Sequence, residues 1–486
     1  MCAIAGITGQ DISTPLKKML DILKHRGGDD SGYWIEGTLI KGEVCQINIP
    51  GATQGMGHHL LSIVGHESTQ PLVDKDLVLV CNGEIYNYKE LESRFNLELK
   101  TDSDCEVILK LIQKFPQDDL VLSLKRTMDE LDGDYAFALL KGDEMVVARD
   151  PVGVKPLYYG EIPSKYWAFA SERKALWQIG IKEVHSLRPG HVISNKKLFQ
   201  LQKPFNDNPH PLNQPPDKDI LKGEFSQSLI NAVEKRTRGL KKVGLIFSGG
   251  VDSTLLALIL KKMGVETTLY TVGTENSPDM EYARQAAEFL DLKLKTYVVD
   301  EEVVKSTLEP VINAIEEFNV MKIGVGMPLY LASSLARKDG LKVVLTGQGA
   351  DELLGGYHRY LKDYASGKDK TQEVLKHDIE NIYKVNLQRD DAVTMAHGVE
   401  LRVPYLDREV IKVAFNIPMK YKIENENDPL RKHILREVAQ DCGMPDFIAL
   451  RPKKAAQYGS GIHKILIKKV LKNFDEESFM KNLRGF

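Results

Sequence analysis

A cysteine stands at position 2 of the chain, behind only the initiator methionine, in the apolar opening MCAIAGITG. One interpretation is a buried structural thiol, because free cysteine packs like a small hydrophobic residue. The other is a nucleophile. Removal of Met1 would give Cys2 a free α-amino group, whose pKa of roughly 8 suits it to accept the thiol proton.

The segment FSGGVDST, residues 247–254, also has residue types that suggest chemistry. It lies where an apolar strand pattern meets a helical pattern, which is where ligands bind in open parallel sheets. Its glycines allow backbone N–H groups to approach a ligand and its serines add hydroxyls, so a phosphate group is the expected ligand. Asp252 fits such a site if Mg²⁺ joins it to the phosphate oxygens. The alternative is a Gly-Gly turn in which Asp252 and Ser253 cap the helix.

Composition limits the classes of function. The 486 residues include 65 Lys and Arg against 68 Asp and Glu, so no global charge favours nucleic acid or an anionic membrane. The five cysteines are scattered without a C-x-x-C pair, which excludes a disulfide framework and disfavours a cysteine-ligated zinc site. With no basic leader and no long apolar run, we expect a cytoplasmic protein without a membrane span.

The elements that must position these residues differ between the two parts of the chain. Residues 1–200 show antiparallel strand patterns, such as LVLVC, with helical patterns at STPLKKMLDILKHR and SDCEVILKLIQKF. Residues 201–218 are rich in proline and predict an interdomain linker. Residues 219–486 alternate short apolar strands with helices, which predicts a doubly wound parallel sheet.

Three local expectations concern single segments. The helix within SPDMEYARQAAEFLDLK should be capped by Ser277, with Pro278 in its first turn. The last hundred residues have a helical pattern. His58 and His59 are interpreted as a pair in a helix or loop, without a third metal ligand.

The two candidate sites together predict coupled reactions. The glycine-rich loop lacks the lysine of the Walker motif, which disfavours γ-phosphate transfer. It matches the S-G-G-x-D-S loop of ATP pyrophosphatases, which implies cleavage between the α- and β-phosphates. In the first part of the chain, Asn82 and Gly83 follow the strand LVLVC and could stabilise an oxyanion beside a nucleophile.

Motifs along nearly the whole chain resemble those of a known family. Cys2, the HRG run at residues 25–27, NGEIYN, SDCEVI, LDGDYAFAL, RDPVGVKPLYYG and SERKAL resemble the class II glutamine amidotransferase domain. The motifs SGGVDS, SPDMEYA, LTGQGADELLGGY, MAHGVELRVPYLD and RPKK resemble the synthetase domain of glutamine-hydrolysing asparagine synthetases. The resemblance favours the nucleophilic interpretation of Cys2.

The resemblance implies a fold for each part. Residues 1–200 would form an α+β domain of the N-terminal nucleophile type, with two antiparallel sheets sandwiched between helices. Residues 201–218 would be the linker, and residues 219–486 would form an α/β domain of the ATP pyrophosphatase type around a parallel sheet.

The resemblance also implies a reaction. Cys2 would attack the side-chain amide of glutamine and form a thioester, and the released ammonia would pass through an internal tunnel to the second domain. There ATP and Mg²⁺ would adenylate the β-carboxylate of aspartate, and ammonia would displace AMP to give asparagine and diphosphate. The partners would be small molecules rather than nucleic acid or membrane, and a homodimer is possible in this family.

The residue roles follow the family's motifs. In the amidotransferase domain the implied catalytic residues are Cys2, Asn82 and Gly83, and glutamine would contact Glu84, Asp104 and Arg26. In the synthetase domain Lys453 and Glu352 are the implied catalytic residues, and Asp252 and Asp351 would hold the metal. ATP would contact Phe247, Ser248, Gly249, Gly250, Asp252, Ser253, Val272, Thr346 and Gly347.

Three departures from the family concern what is bound rather than how ATP is cleaved. Leu60 replaces an arginine that would hold the glutamine carboxylate, and Arg26 is the predicted substitute. Gln348 replaces a glutamate that could act as a base, which leaves Glu352 or ammonia itself for that role. The segment KIGVGMPLY lacks an arginine that relatives have in the R-A-S-T-P motif.

These departures leave two alternatives open. The first is an amidotransferase of the same chemistry that adenylates a different carboxylate. The second is a non-catalytic regulatory or scaffold protein, which the intact Cys2 and the complete SGGVDS loop disfavour.

Overall fold

The computed structural model describes residues 2–42, 47–63, 68–117, 119–205, 217–452 and 459–486. Contacts divide the chain into two compact units. The first unit comprises Met1–Lys203, Met395–Gly398 and Asp475–Phe486, and the second comprises Pro204–Thr394 and Val399–Phe474.

The first unit contains two antiparallel sheets. Its strands are β1 (Ala3–Gly9), β2 (Asp30–Ile35), β3 (Thr38–Lys41), β4 (Gln54–Leu60), β5 (Leu72–Asp74), β6 (Leu77–Ile85), β7 (Gly133–Lys141), β8 (Glu144–Arg149), β9 (Tyr158–Ile162), β10 (Tyr166–Ala170), β11 (Val184–Ser186), β12 (His191–Ser194) and β13 (Lys197–Gln200). One sheet has the order β11-β9-β10-β1-β4-β2-β3 and the other β13-β12-β8-β7-β6-β5. Its helices are α1 (Ser13–Leu23), α2 (Tyr88–Phe95), α3 (Glu106–Lys114), α4 (Leu120–Glu130) and α5 (Arg173–Trp177).

Successive side chains of a strand point to opposite faces of its sheet. Each sheet therefore packs against the other sheet with one face and against helices with the opposite face. Ile4 of β1 packs with Val78 and Val80 of β6 in a core between the sheets. The opposite face of β1 packs with α1 and α5, and the opposite face of β6 packs with α2, α3 and α4. The predicted fold class of this part is confirmed.

The second unit is built on a parallel sheet with the order β16-β15-β14-β17-β18. Its strands are β14 (Lys242–Ile246), β15 (Glu266–Gly273), β16 (Lys293–Val298), β17 (Val343–Leu345) and β18 (Glu400–Arg402). Its helices are α6 (Lys218–Thr237), α7 (Val251–Lys262), α8 (Pro278–Leu290), α9 (Glu301–Ile315), α10 (Val320–Lys338), α11 (Ala350–Leu354), α12 (Arg359–Ser366), α13 (Lys368–Ile382), α14 (Gln388–Met395), α15 (Arg408–Asn416), α16 (His433–Asp441), α17 (Asp446–Ala449) and α18 (Ile462–Ile465). The last helix of the chain, α19 (Glu476–Arg484), belongs to the first unit.

The strand order confirms the doubly wound parallel sheet. The chain runs outward from β14 through β15 to β16, and then returns to add β17 and β18 on the other side of β14. The carboxyl ends of β14 and β17 therefore flank a topological switch point, where such sheets bind ligands. The segment FSGGVDST follows β14, and TGQGADE follows β17.

The three local predictions have different outcomes. Ser277 stands at the predicted N-cap position of α8, with Pro278 in the first turn, but its side chain makes no cap bond; its Oγ lies 2.5 Å from the point that a Cβ on Gly273 would occupy. The last hundred residues are mainly helical, as predicted, and include one three-residue strand, β18, which pairs with β17. The placement of His58 and His59 in a helix or loop is wrong, because both lie in β4, where pairing with β1 and β2 buries them.

Two observations bear on the predicted linker and on the predicted absence of a membrane-spanning helix. Residues 206–216, most of the predicted linker, lie outside the described residues, and Asp217 caps α6 by accepting a hydrogen bond from the N–H of Asp219. The linker and the domain limits stay predictions. Within the described ranges, every helix is too short or too polar to cross a lipid bilayer.

Candidate active sites

Cys2 lies against Asn82 in the first unit. The backbone N–H of Cys2 donates to Asn82 Oδ1 at 3.0 Å. Asn82 is fully buried, and its Nδ2 has no hydrogen-bond partner among the described residues. A buried donor without an acceptor is costly, so this amide fits a ligand oxygen that becomes negatively charged beside Cys2.

Gly83 follows Asn82 at a close approach of β6 to β7. A Cβ at this position would lie 2.6 Å from the backbone oxygen of Asp134. Glycine is therefore required here by the sheet itself, independently of the oxyanion role that the motif implies.

Two carboxylates, those of Glu84 and Asp104, lie at the carboxyl end of β6. Asp104 Oδ2 accepts a hydrogen bond from the N–H of Ile85 at 2.5 Å. Burial, together with the negative charge of Glu84, raises the pKa of Asp104 to about 7. A pair of carboxylates with this repulsion favours a cationic ligand such as an ammonium group.

Arg26 contacts the backbone of Cys2. Its buried guanidinium donates from Nε to the oxygen of Cys2 at 3.3 Å and from Nη1 to Glu172 at 2.9 Å. Glu172 also pairs with His25 at 3.1 Å and with Lys174 at 2.7 Å. Burial alone would raise the pKa of Glu172, but its contacts with His25, Lys174 and Arg26 hold that pKa well below its usual range.

The sequence assigned Arg26 to glutamine, and that assignment stays a prediction. The structure adds a contact of Arg26 with the backbone of Cys2 that the sequence did not predict. Sequence reasoning missed Glu172, although it lies within the SERKAL motif.

A cavity of about 700 Å³ lies within the second unit, at the switch point of the sheet. We call it the phosphate-loop cavity. The predicted ATP and metal residues on its wall are Phe247, Ser248, Asp252, Ser253, Val272, Thr346, Gly347 and Asp351. Gly249 and Gly250 form the turn between these residues. Gly249 has φ +66°, and a Cβ there would lie 2.6 Å from the backbone of Tyr282.

Lys432 joins the two predicted metal ligands. Its Nζ lies 2.6 and 2.7 Å from the carboxylate oxygens of Asp252 and 2.7 Å from Asp351 Oδ1. Lys432 is fully buried, and both it and Arg431 adopt left-handed backbone conformations, with φ +51° and +56°. Sequence reasoning missed Lys432, because the segment DPLRKHILRE shows no motif that marks it.

Glu352 lies behind the cavity wall. The hydroxyl of Tyr357 and Nδ2 of Asn386 each donate to Glu352 Oε1 at 2.8 Å, and these two donors line the cavity. Burial and the neighbouring carboxylates raise the pKa of Tyr357 well above its usual range, so this hydroxyl keeps its proton. Glu352 therefore borders the cavity through Tyr357 and Asn386.

The departures from the family motifs have structural counterparts. Gln348 lines the phosphate-loop cavity. Gly324 of the GVGM segment leaves room for an imidazole, since a Cβ there would lie 2.6 Å from His463 Nδ1. Leu60 ends β4. Lys453 lies outside the described residues.

Comparisons with known proteins identify the family of each part of the chain. A family model described as a glutamine amidotransferase domain matches residues 1–198, and one described as asparagine synthase matches residues 224–372 and 363–482. A Methanocaldococcus jannaschii protein provisionally named asparagine synthetase (glutamine-hydrolysing) 1 is 42% identical over 96% of this chain and 95% of its own length. Asparagine synthetase (glutamine-hydrolysing) 2 of Arabidopsis thaliana is 31% identical over 95% of this chain and 79% of its own.

Among solved structures, the chain is similar to a glutamine phosphoribosylpyrophosphate amidotransferase from B. subtilis complexed with ADP and GMP. The identity is 20%, the TM-score is 0.38, and the alignment covers 57% of this chain and 67% of that one. A likeness at this level supports no argument about function.

Proposed function

The chain belongs to the asparagine synthetase (glutamine-hydrolysing) family, and from this premise we propose that it makes asparagine from aspartate, with ammonia released from glutamine. Members of this family join a glutamine amidotransferase domain to an ATP-using synthetase domain, and both domains are present here. The observation that supports the proposal most directly is that Asp252 and Asp351, which both line the phosphate-loop cavity, converge on the ammonium group of Lys432.

In the first step the Cys2 sulfur attacks the side-chain carbonyl carbon of glutamine. Removal of Met1 frees the α-amine of Cys2, which takes the thiol proton and passes it to the departing ammonia. Asn82 Nδ2 and the N–H of Gly83 stabilise the oxyanion. Water then hydrolyses the thioester to glutamate. Arg26, fixed by Glu172, holds the backbone of Cys2 in place for the attack.

The pH dependence of glutamine binding tests the role of Asp104. Its pKa is about 7 in the free protein, so below pH 7 the carboxyl becomes neutral and loses its attraction for the ammonium group of glutamine. We expect the KM for glutamine to rise about 20-fold between pH 7.5 and pH 5.5, since binding weakens tenfold per pH unit below the pKa. Glutamate release without ATP measures this.

Asp104→Asn is the control for that profile. It should have a high KM for glutamine that stays flat over the same pH range, because the titrating carboxyl is gone. A KM that is equally flat in the unchanged chain would contradict the assignment of Asp104 to the ammonium group.

In the second step a β-carboxylate oxygen of aspartate attacks the α-phosphorus of ATP, and diphosphate leaves. Ammonia then attacks the carbonyl carbon of β-aspartyl-AMP, AMP leaves and one proton is lost. The phosphate loop binds the diphosphate portion with its backbone N–H groups and with Ser248 and Ser253. The ammonium of Lys432 adds positive charge beside the phosphates. Lys453 is the proposed partner of the α-phosphate and the reacting carboxyl.

The carboxylates of the phosphate-loop cavity fit a magnesium ion. Asp252 and Asp351 both line this cavity, and hard carboxylate oxygens suit Mg²⁺. Bound there with ATP, the ion would neutralise phosphate charge as diphosphate leaves.

A second candidate is the same chemistry on a different carboxylate acceptor. It is favoured by Gln348, which lines the cavity and cannot accept a proton as the family's glutamate could. Glu352 accepts hydrogen bonds from Tyr357 and Asn386, which line the cavity, so we assign it to positioning those groups. In either case ammonia itself can supply the basicity for the final proton loss.

One assay separates the two candidates. The protein is given ATP, Mg²⁺ and glutamine with each candidate acid in turn, and diphosphate, AMP and the amide product are followed by mass. Asparagine formed only with aspartate is the expected result. Diphosphate release that depends on another acid would select the second candidate, and no diphosphate with any acid would contradict both.

A further inference from the structure

Arg389 and Asp390 form a buried ion pair on the wall of the phosphate-loop cavity. The side chains are 5% and 1% exposed, and Nε and Nη2 of Arg389 each lie 2.7 Å from the same oxygen, Asp390 Oδ1. The other oxygen, Oδ2, is buried and has no hydrogen-bond partner among the described residues. A buried carboxylate oxygen without a donor is costly, so this oxygen fits a ligand that brings one.

Arg389 retains capacity for a second partner. Its Nη1 makes only long contacts, at 3.4 Å to the backbone oxygen of Val385 and at 3.4 Å to Asn386 Oδ1. Bonds of this length are weak, so an incoming carboxylate could replace them. The pair therefore offers one cationic and one anionic group side by side at the cavity wall.

The backbone around the pair is unusual. A π-helical turn, Tyr383–Leu387, precedes α14 and places Lys384, Val385 and Asn386 on the cavity wall. Such turns occur often at functional sites. Gly326 of the GVGM segment packs on the stem of Arg389, since a Cβ there would lie 3.4 Å from Arg389 Cγ. The segment that lacks the family's arginine is therefore the one that accommodates Arg389.

We propose that the Arg389–Asp390 pair binds the amino-acid head group of the acceptor. Arg389 takes the α-carboxylate and Asp390 Oδ2 takes the α-ammonium group, so the acceptor is a zwitterionic amino acid with a carboxylate side chain. This inference rests on the proposed function and specifies its substrate class. Charge complementarity supports it, because the buried pair gains a matching cation and anion at once.

The titration of Asp390 agrees with this assignment. Burial raises its pKa above the usual range, and the charge of Arg389 offsets this only in part. A second cation at Oδ2 would lower the pKa of Asp390 again and so favour its charged form. Another ion pair on the wall, between Lys322 and Glu317, has side chains 20% and 33% exposed, so water screens it and it discriminates less between ligands.

The test compares aspartate with succinate, which is aspartate without its ammonium group. Binding of each is measured by calorimetry to the full chain with Mg²⁺ and a non-hydrolysable ATP analogue. We expect the unchanged chain to bind aspartate at least about tenfold more tightly than succinate. Asp390→Asn should lose at least about tenfold for aspartate and little for succinate. Asp378→Asn is the matched control, because Asp378 also pairs with an arginine, Arg359, but lies outside the cavity wall.

Each result decides the proposal. Equal binding of aspartate and succinate to the unchanged chain would overturn it, and this measurement needs no variant to fold. Equal losses for both ligands in Asp390→Asn would also overturn it, since Asp390 would then act only by holding Arg389. If the protein made asparagine but bound aspartate and succinate equally, the inference about Arg389 and Asp390 would be refuted and the proposed function would stand. If another amino acid and its deaminated counterpart showed the discrimination, the inference would stand and asparagine synthesis would fail.

Discussion

Replacing Cys2 with alanine should abolish glutamine-dependent synthesis and leave synthesis from ammonium salts within about twofold of the unchanged chain. The Cys2 sulfur forms the covalent bond between the protein and glutamine, so its removal should lower glutamate release by about 10⁴-fold or more. The alanine side chain should leave the second unit unaffected, because its cavity is lined by residues of that unit. Glutamate release and diphosphate release are measured separately for each nitrogen source.

Cys442→Ala is the matched control for Cys2. Cys442 is a half-buried cysteine next to α16 in the second unit, and its loss should change neither activity. If Cys2→Ala still released glutamate from glutamine at the original rate, the assignment of the nucleophile would be wrong. Peptide mapping of the active protein should show an N-terminus at Cys2, as the proposed α-amine requires.

Asp351→Asn should have the opposite pattern. We expect diphosphate release to fall about 10³-fold with glutamine or ammonium as nitrogen source, while glutamate release is retained. The amide cannot supply the negative charge that Asp351 shares with Asp252 around Lys432, and charge stabilisation by a metal is worth several kcal/mol in such reactions. The Mg²⁺ concentration for half-maximal rate should rise.

A binding measurement separates metal binding from catalysis. Mn²⁺ binding, followed by electron paramagnetic resonance with a non-hydrolysable ATP analogue, should weaken in Asp351→Asn and remain unchanged in Asp378→Asn. Unaltered Mn²⁺ affinity in Asp351→Asn would remove Asp351 from the proposed metal site.

Local sequence was enough for features built from consecutive residues. The phosphate loop is one strand, one turn and one helix start, and each has its own residue preferences, so the pattern predicted its place. Cys2 and Asn82 could also be anticipated, because each follows the alternation of its strand, with Ile4 on β1 and with Val78 and Val80 on β6. Their contact still had to be observed.

Long-range pairing was beyond the sequence. Lys432 lies 180 residues from Asp252, and its position depends on helices whose packing no local pattern specifies. The same is true of β18, three residues whose stability comes from pairing with β17. Ser277 failed as a cap for a related reason, since the backbone suits a cap while tertiary packing directs the hydroxyl elsewhere.

The left-handed backbone at Arg431 and Lys432 bears on how the protein meets its nucleotide. Two successive non-glycine residues in that conformation cost of order 1–2 kcal/mol each, and the main chain, not the rotamer of a long side chain, then directs the ammonium inward. The ammonium group of Lys432 therefore takes its position when the chain folds. An arriving polyphosphate would meet an ammonium group whose position is already fixed, and it would compete with Asp252 and Asp351 for that group.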